Sequence, residues 1–254
     1  MTKRKFLMKL SELKDGKFDP DVVDDFVKNH LHSSKHPELF ADLLMKILKQ
    51  HEHAAVPAFK GLLFLVLNGK FALENLYEEA YTLLRPSICY SDNVDLLTLV
   101  DKALTSPYIP KYILAAYAKR LSRLLLFAPV KSQILILAVL KNLFIHNKGV
   151  FEMMVNREDP QTFDSDPFDN EATIAESKAA DSSLWELKAL TNHWFIRVSD
   201  RANFIHGHRP EQRTPVTANE VMKLLERKFN ENNSVLSKPL IDGRLKALED
   251  LIVN

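Results

Sequence analysis

The sequence predicts an all-α protein built as an irregular HEAT/armadillo-like helical repeat array, an α-solenoid. Only six of its 254 residues are glycine, which argues against a turn-rich all-β fold. Leucine, lysine, alanine and glutamate, all good helix formers, dominate the segments between glycine and proline residues. Apolar residues recur in these segments at intervals of three and four, the spacing of one helix face. We expect residues 1–254 to form a single domain of this kind, with an irregular helical bundle as the alternative.

The sequence predicts several short amphipathic helices before and after the centre of the chain. Two helix starts are predicted at Asp19 or Pro20 and at Pro37, because a proline in the first helical position loses no hydrogen bond. Gly69, Pro86 and Pro107 separate helices. No exact sequence repeat is visible, but each helix pair has an apolar face that a neighbouring pair must cover. The predicted helices outside the centre cover residues 3–14, 20–32, 37–50, 54–68, 71–85, 93–105, 217–230 and 239–252.

Two longer helices are predicted in the centre, over residues 109–128 and 130–147. The second is apolar on nearly all sides between Ile134 and Leu140, so we expect it to be buried as the core of the fold. This apolar run is far shorter than the roughly 20 residues that cross a bilayer.

An acidic loop follows at Asp164–Asp169. Pro167 within this loop has no backbone N–H, so a helix cannot continue through it. Phe168 supplies an apolar anchor, which predicts that the loop packs back onto the helical body.

A helix start is predicted downstream of this loop. Ser183 and Glu186 have the spacing of a capping box, in which each side chain accepts the other residue's backbone N–H. We expect the helix to begin at Ser183. Trp185 would then lie in its first turn, and we expect it to be buried there because large aromatic side chains dominate core energetics.

Arg120 is a charged residue at an apolar position of the first central helix. At about 100° per residue it falls in an apolar stripe with Tyr117 and Leu121, while Lys119 and Arg123 lie toward the edge of that stripe. An unpaired buried charge is strongly unfavourable, so Arg120 must pair with a carboxylate or extend to the surface at a groove. An ion pair between Arg120 and a carboxylate of this region would hold the acidic loop against the core. The expected partners are the nearest carboxylates of this half of the chain, namely Asp166, Asp169 and Glu186.

Three motifs occur in a fixed order in the second half of the chain. They are Tyr108–Leu124 with its Lys-Arg-Leu-x-Arg-Leu core, then Asp166-Pro-Phe-Asp169, then Asp181–Leu187. Together they resemble the CCAAT-binding-factor-like (CBF) family of nucleolar ribosome-assembly proteins, over roughly residues 90–240. In that family the motif residues serve either the fold or a partner interface. Here the motif residues are Asp166, Pro167, Phe168, Asp169, Ser182, Ser183, Leu184, Trp185, Glu186 and Leu187.

The resemblance implies a function in binding rather than catalysis. It implies a helical scaffold in small-subunit biogenesis, acting in the 90S pre-ribosome or small-subunit processome, in pre-rRNA processing and in 40S maturation. The implied location is the nucleolus and nucleus. The implied stable partner is nucleolar protein fourteen, with other processome proteins and a peripheral contact to pre-rRNA. The alternative is a generic helical-repeat adaptor outside ribosome biogenesis.

No catalytic, metal or cofactor site is predicted. The histidine pairs His51/His53 and His206/His208 lack the i, i+4 spacing that directs two imidazoles to one side of a helix. No glycine-rich phosphate loop or nucleophile elbow occurs. Cys89 is the only cysteine, which excludes a disulfide within the chain and indicates a reducing compartment.

The charge balance gives no overall attraction to nucleic acid or to a membrane, because the formal net charge is +1. Contact with RNA therefore requires a local cluster of cations. The first central helix offers either such a cluster or a solvated face, and in it Lys119, Arg120 and Arg123 are predicted to form ion pairs or to contact RNA. The cluster consists of Lys111, Lys119, Arg120, Arg123 and Lys131.

Overall fold

The computed structural model describes residues 18–50, 52–69, 75–90, 94–106, 109–155, 165–206 and 210–219, with Met8 and Leu73 as single positions. Helices and turns account for these residues, and no β-strand occurs among them, so the prediction of an all-α fold is confirmed. The helices are α1 Pro20–Phe26, α2 Ala41–Gln50, α3 Ala55–Gly69, α4 Leu76–Thr82, α5 Ser87–Tyr90, α6 Val94–Ala103, α7 Lys111–Leu125, α8 Val130–His146, α9 Lys148–Met154, α10 Trp185–Leu190 and α11 Ile196–Ala202.

The start of α1 follows from its cap. The Oδ1 atom of Asp19 accepts the backbone N–H of Asp21 at 3.0 Å, and Pro20 occupies the first helical position. The helix continues through a wider, π-helical turn over Val27–Leu31. The two segments together match the helix predicted over residues 20–32.

Close packing in the N-terminal half depends on Gly61 in α3. A Cβ atom at this position would lie 2.9 Å from Cδ1 of Leu44 in α2 and 2.9 Å from Cγ2 of Val27. Such distances are shorter than real carbon contacts, so the missing side chain allows α3 to approach both neighbours.

The core of the molecule is the pair α7 and α8, joined by a short turn as an αα-hairpin. The apolar run from Ile134 to Leu140 in α8 is buried throughout, as the sequence predicted. Helix α8 also contacts α6, α9 and α11. No single helix of the described residues is long and apolar enough to span a membrane; α8 and α9 meet that test only as a pair bent by 114°.

Several helices differ from their predicted bounds. The helix predicted over 71–85 begins only at Leu76, because Asn75 has a positive φ of 62° that interrupts a right-handed helix. Helices α5, α9 and α11 were not predicted. Each has only one or two turns, and an apolar pattern that short does not distinguish a helix from a loop. The predicted helices 3–14 and 239–252, and all but the start of 217–230, lie outside the described residues apart from Met8.

Candidate functional site

Helix α7 directs two cations at the acidic segment that precedes α10. Lys119 is completely buried, and its Nζ donates to Oε1 of Glu186 at 2.7 Å and to the backbone carbonyl of Ser183 at 2.7 Å. Its third oxygen neighbour is Oδ2 of Asp166, also at 2.7 Å. An ammonium group has three N–H donors, and here each of them has an oxygen partner. This full pairing explains how a lysine can be buried without leaving an uncompensated charge.

Glu186 is the buried carboxylate at the centre of this arrangement. Its Oε1 lies 2.9 Å from Nε of Arg123, in addition to its bond with Lys119, and its Oε2 accepts the hydroxyl of Ser122 at 3.2 Å. The predicted capping box with Ser183 is therefore wrong. Helix α10 begins at Trp185 and no side chain caps it, because the Glu186 carboxylate points inward to the two cations.

Asp166 connects the acidic loop to the same cations. Its Oδ2 accepts Nη2 of Arg123 at 2.8 Å and the indole N–H of Trp185 at 2.8 Å. Its Oδ1 accepts the hydroxyl of Ser182 at 2.6 Å and the backbone N–H of Phe168 at 3.1 Å. Burial by itself opposes ionisation, but the bonds from Lys119, Ser182, Trp185 and Phe168 favour the charged form more strongly, and the pKa of Asp166 is well below its usual range. We call Lys119, Arg123, Asp166 and Glu186 the charge cluster.

Apolar residues of the motif hold the loop from the other side. Phe168 is buried, with the Nζ of Lys119 5.9 Å from its ring centroid, and Leu184 and Leu187 are buried as well. The loop therefore packs back onto the helical body, as Phe168 predicted. Asp169 lies outside the charge cluster: its N–H donates to the carbonyl of Ser177 at 3.0 Å.

The predicted burial of Trp185 is wrong, because 41% of its surface is exposed. The inward positions of α10 belong to Glu186, Leu187 and Leu190, so the ring at the start of the helix lies at the surface. Its indole N–H is bound to Asp166, and the guanidinium of Arg123 lies 5.1 Å from its ring centroid. The ring is therefore exposed yet held in one position.

The predicted pairing of Arg120 with Asp166, Asp169 or Glu186 is also wrong. Its Nε donates to the carbonyl of Leu84 at 2.7 Å and its Nη1 to the carbonyl of Asn170 at 3.2 Å. Its guanidinium lies 4.3 Å from the ring centroid of Tyr81. Arg120 thus joins the end of α4 to the residue that follows the acidic loop, through carbonyl oxygens and an aromatic ring. Its neighbours Lys119 and Arg123 contact the carboxylates instead.

The predicted cluster of cations for RNA contact is divided by the fold. Lys119, Arg120 and Arg123 all have partners inside the chain, and Lys119 has no exposed surface. Lys111 is exposed at the start of α7. Lys131 lies in α8 and is half-buried. A single face of α7 that binds phosphate through all five residues is therefore excluded.

Four large apolar or aromatic residues are exposed near the end of α7 and at the start of α10. Leu126 follows Arg123 by about one helical turn, and Phe127 accepts the hydroxyl of Tyr90 at its backbone carbonyl, at 2.8 Å. Sequence reasoning missed this surface; the signal was the run of apolar residues from Leu124 to Phe127, which is longer than one buried stripe requires. We call the exposed residues Tyr90, Leu126, Phe127 and Trp185 the apolar strip.

In the described part of the chain, no group of three or more histidine, cysteine, aspartate or glutamate residues is arranged to hold a metal ion. The Nε2 atom of His206 lies 3.4 Å from the hydroxyl of Thr191, and His53 is exposed at a cavity. His51 and His208 lie outside the described residues.

Comparison with known proteins places the charge cluster within a shared region. The CBF/Mak21 family model matches residues 55–202. An uncharacterized protein of Caenorhabditis elegans is 37% identical over 186 residues, which cover 72% of this chain and 37% of that protein. The nucleolar complex protein 4 homolog of Homo sapiens is 33% identical over 172 residues, or 67% of this chain and 33% of that protein. The corresponding Mus musculus protein is 33% identical over 187 residues, or 73% and 36%. The chain thus spans about a third of the length of these relatives.

Proposed function

This chain belongs to the CBF/Mak21 family, and on that premise we propose that it is a non-enzymatic helical scaffold in nucleolar ribosome biogenesis. The family match confirms the resemblance that the three motifs indicated. Two of its relatives carry the name nucleolar complex protein 4 homolog, which supports a nucleolar and nuclear location. The proposal further assigns the chain to the small-subunit precursor, with nucleolar protein fourteen as its stable partner.

The observation that carries this proposal is the position of Trp185. The charge cluster holds its indole N–H, while 41% of the residue remains exposed. The guanidinium of Arg123 lies 5.1 Å from its ring centroid, and Leu126 follows Arg123 by about one helical turn. Exposed aromatic residues that are held rigidly lose little conformational freedom on binding, and tryptophan is enriched at the energetic centres of protein interfaces. A contiguous exposed apolar surface is typical of protein interaction sites. The apolar strip is therefore the proposed partner surface, and the charge cluster fixes its geometry.

The experiment is a binding measurement with purified nucleolar protein fourteen and the whole chain. We expect Trp185→Ala and Phe127→Ala to weaken binding by tenfold or more, about 1.4 kcal/mol each. Trp194→Ala is the matched control, because Trp194 is 58% exposed and lies outside the apolar strip. Equal binding by all three variants would contradict the proposed surface, and no binding by the unchanged chain would contradict the proposed partner.

A second measurement addresses the assembly itself. The tagged chain, recovered from cells, should bring down small-subunit precursor RNA and its assembly factors in excess over large-subunit precursors. Recovery of other bound proteins without any ribosomal precursor would instead favour an adaptor function outside ribosome biogenesis.

A further inference from the structure

A cavity of about 600 Å³ opens between the end of α2 and the end of α4. The turn that precedes α3 closes one side of it, and α5 and the start of α6 close the other. None of its residues belongs to the charge cluster or to the apolar strip. The described residues that line it are Leu48, Lys49, Gln50, His53, Val56, Thr82, Leu83, Arg85, Ser87, Ile88 and Leu96.

In the described lining of this cavity, the permanent charges are all positive. Its described lining contains Lys49, His53 and Arg85 and no carboxylate. Two other cavities of similar size differ in this respect. The cavity between α1 and α6 is lined by three aspartates together with Lys60 and Lys102. The cavity between α4 and residues 170–173 is lined by three glutamates together with Arg120 and Arg85, which lines the α2–α4 cavity as well. The described lining of the α2–α4 cavity therefore favours an anion, whereas the linings of the other two combine carboxylates with cations.

The two permanent cations stand at its rim. The side chain of Lys49 is 46% exposed, with Glu79 as a carboxylate neighbour at 3.2 Å outside the lining. The Nε of Arg85 donates to the carbonyl of Thr82 at 3.0 Å, which fixes the start of the guanidinium at the end of α4. Arg85 is exposed, and so is Ser87, whose hydroxyl is available as a further hydrogen-bonding group of the lining.

The floor of the cavity is apolar. Val56, Leu83 and Ile88 are half-buried there, and Leu48 and Leu96 are buried beneath them. A volume of about 600 Å³ lies within the range of pockets that enclose small organic ligands. The shape therefore suits a ligand with a flat, weakly polar group on the floor and a negative charge at the rim.

We propose that this cavity binds single-stranded RNA, with phosphates at Lys49 and Arg85 and a base against the apolar floor. A nucleotide of a single strand has both required parts, and its unpaired base is free to turn into a cavity. An acidic peptide would satisfy the rim, but its carboxylate side chains would leave the floor uncovered. The choice of RNA over other anions also rests on the proposed function in ribosome biogenesis.

The test is the anisotropy of a labelled uridine 12-mer titrated with the purified whole chain at several salt concentrations. We expect Lys49→Gln combined with Arg85→Gln to weaken binding about tenfold. Loss of two phosphate contacts should also reduce the slope of log K against log salt by about 1.4. Lys46→Gln combined with Lys35→Gln is the matched control: it also removes two positive charges, and both residues are exposed and lie outside the cavity lining. Circular dichroism verifies that each variant is folded.

Two outcomes would overturn the proposal. One is binding that falls equally in the control and in the cavity variant, which would indicate general attraction to surface charge. The other is an acidic 12-residue peptide that binds with the expected dependence on Lys49 and Arg85 while the RNA does not. Because purified chain is used, failure here is distinct from failure of the proposed function, which is judged by recovery of ribosomal precursors from cells.

Discussion

The Nζ of Lys119 lies 2.7 Å from Oε1 of Glu186, and neither side chain has any surface exposed to solvent. This ion pair joins α7 to the first turn of α10, and its two residues are 67 positions apart in the sequence. Arg123 and Asp166 complete the arrangement with two cations and two carboxylates, so the cluster is neutral as a whole. The four charges can be buried together, whereas one of them buried without its partners would destabilise the fold.

We expect Lys119→Met to destabilise the chain by about 3–5 kcal/mol, because Glu186 and Asp166 would lose a buried cation. Urea unfolding followed by circular dichroism measures the loss. Lys111→Met, an exposed lysine on the same helix, should change the free energy of unfolding by less than about 0.5 kcal/mol. The double variant Lys119→Met with Glu186→Leu should lose less than the sum of its single changes, since Arg123 and Asp166 still neutralise each other. Strict additivity would contradict this account.

Arg120 should show no such coupling to the carboxylates. Its side chain bonds to carbonyl oxygens, so double-mutant cycles of Arg120→Ala with Asp166→Asn, Asp169→Asn or Glu186→Gln should be additive within about 0.5 kcal/mol. The reference is the Lys119–Glu186 cycle, in which the contact is direct. A coupling energy of Arg120 as large as that of Lys119 would show that the guanidinium turns to the carboxylates in solution.

Trp185→Ala should destabilise the chain less than Leu187→Ala does, although tryptophan is the larger residue. Leu187 is completely buried, and its truncation should cost about 2–5 kcal/mol. Trp185 is partly exposed and loses mainly its bond to Asp166, which is worth about 1.5–3 kcal/mol for a charged acceptor. Thermal and urea unfolding of both variants decide the order, and a larger loss for Trp185 would mean that its ring is buried in solution.

Stability should depend on Asp166 at acid pH. Its pKa in the folded chain lies below the 3.8 of an unperturbed aspartate, so its contribution is fully present above that value and is lost as pH falls below it. The difference in free energy of unfolding between the unchanged chain and Asp166→Asn should therefore be largest near neutral pH. Below pH 3.8 it should shrink by up to about 1.4 kcal/mol per pH unit. Urea midpoints at pH 7, 4 and 3 measure it; a difference independent of pH would contradict the assignment.

Gly61→Ala and Gly149→Ala should have opposite consequences. The new Cβ at Gly61 would meet Leu44 and Val27, both buried, at 2.9 Å, and such overpacking costs about 1–3 kcal/mol. At Gly149 the nearest atoms, at 2.8 Å, are the flexible end of Lys111, which can move aside. The helix propensity of alanine should then make Gly149→Ala neutral or stabilising, by up to about 1 kcal/mol. Melting temperatures distinguish the two, and equal losses would contradict the packing.

The sequence by itself determined the helical class, the buried position of α8 and the return of the acidic loop. These depend on periodicity and on local backbone chemistry: the apolar run from Ile134 to Leu140 leaves no polar face for solvent, and a proline such as Pro167 interrupts a helix at any position beyond its first turn. The three motifs were likewise visible in the amino-acid sequence. None of these inferences needs the distance between residues that are far apart in the chain.

Only the tertiary structure decided which basic residue of α7 meets the acidic loop. Periodicity gives the angles between Lys119, Arg120 and Arg123 around the helix axis, but not the rotation of that axis relative to α10 and the loop. Once α7 is packed, Lys119 and Arg123 face Asp166 and Glu186, and Arg120 faces the carbonyl of Leu84. The same packing turns Glu186 inward and leaves Trp185 at the surface, because a buried cation attracts a carboxylate more strongly than a helix cap does.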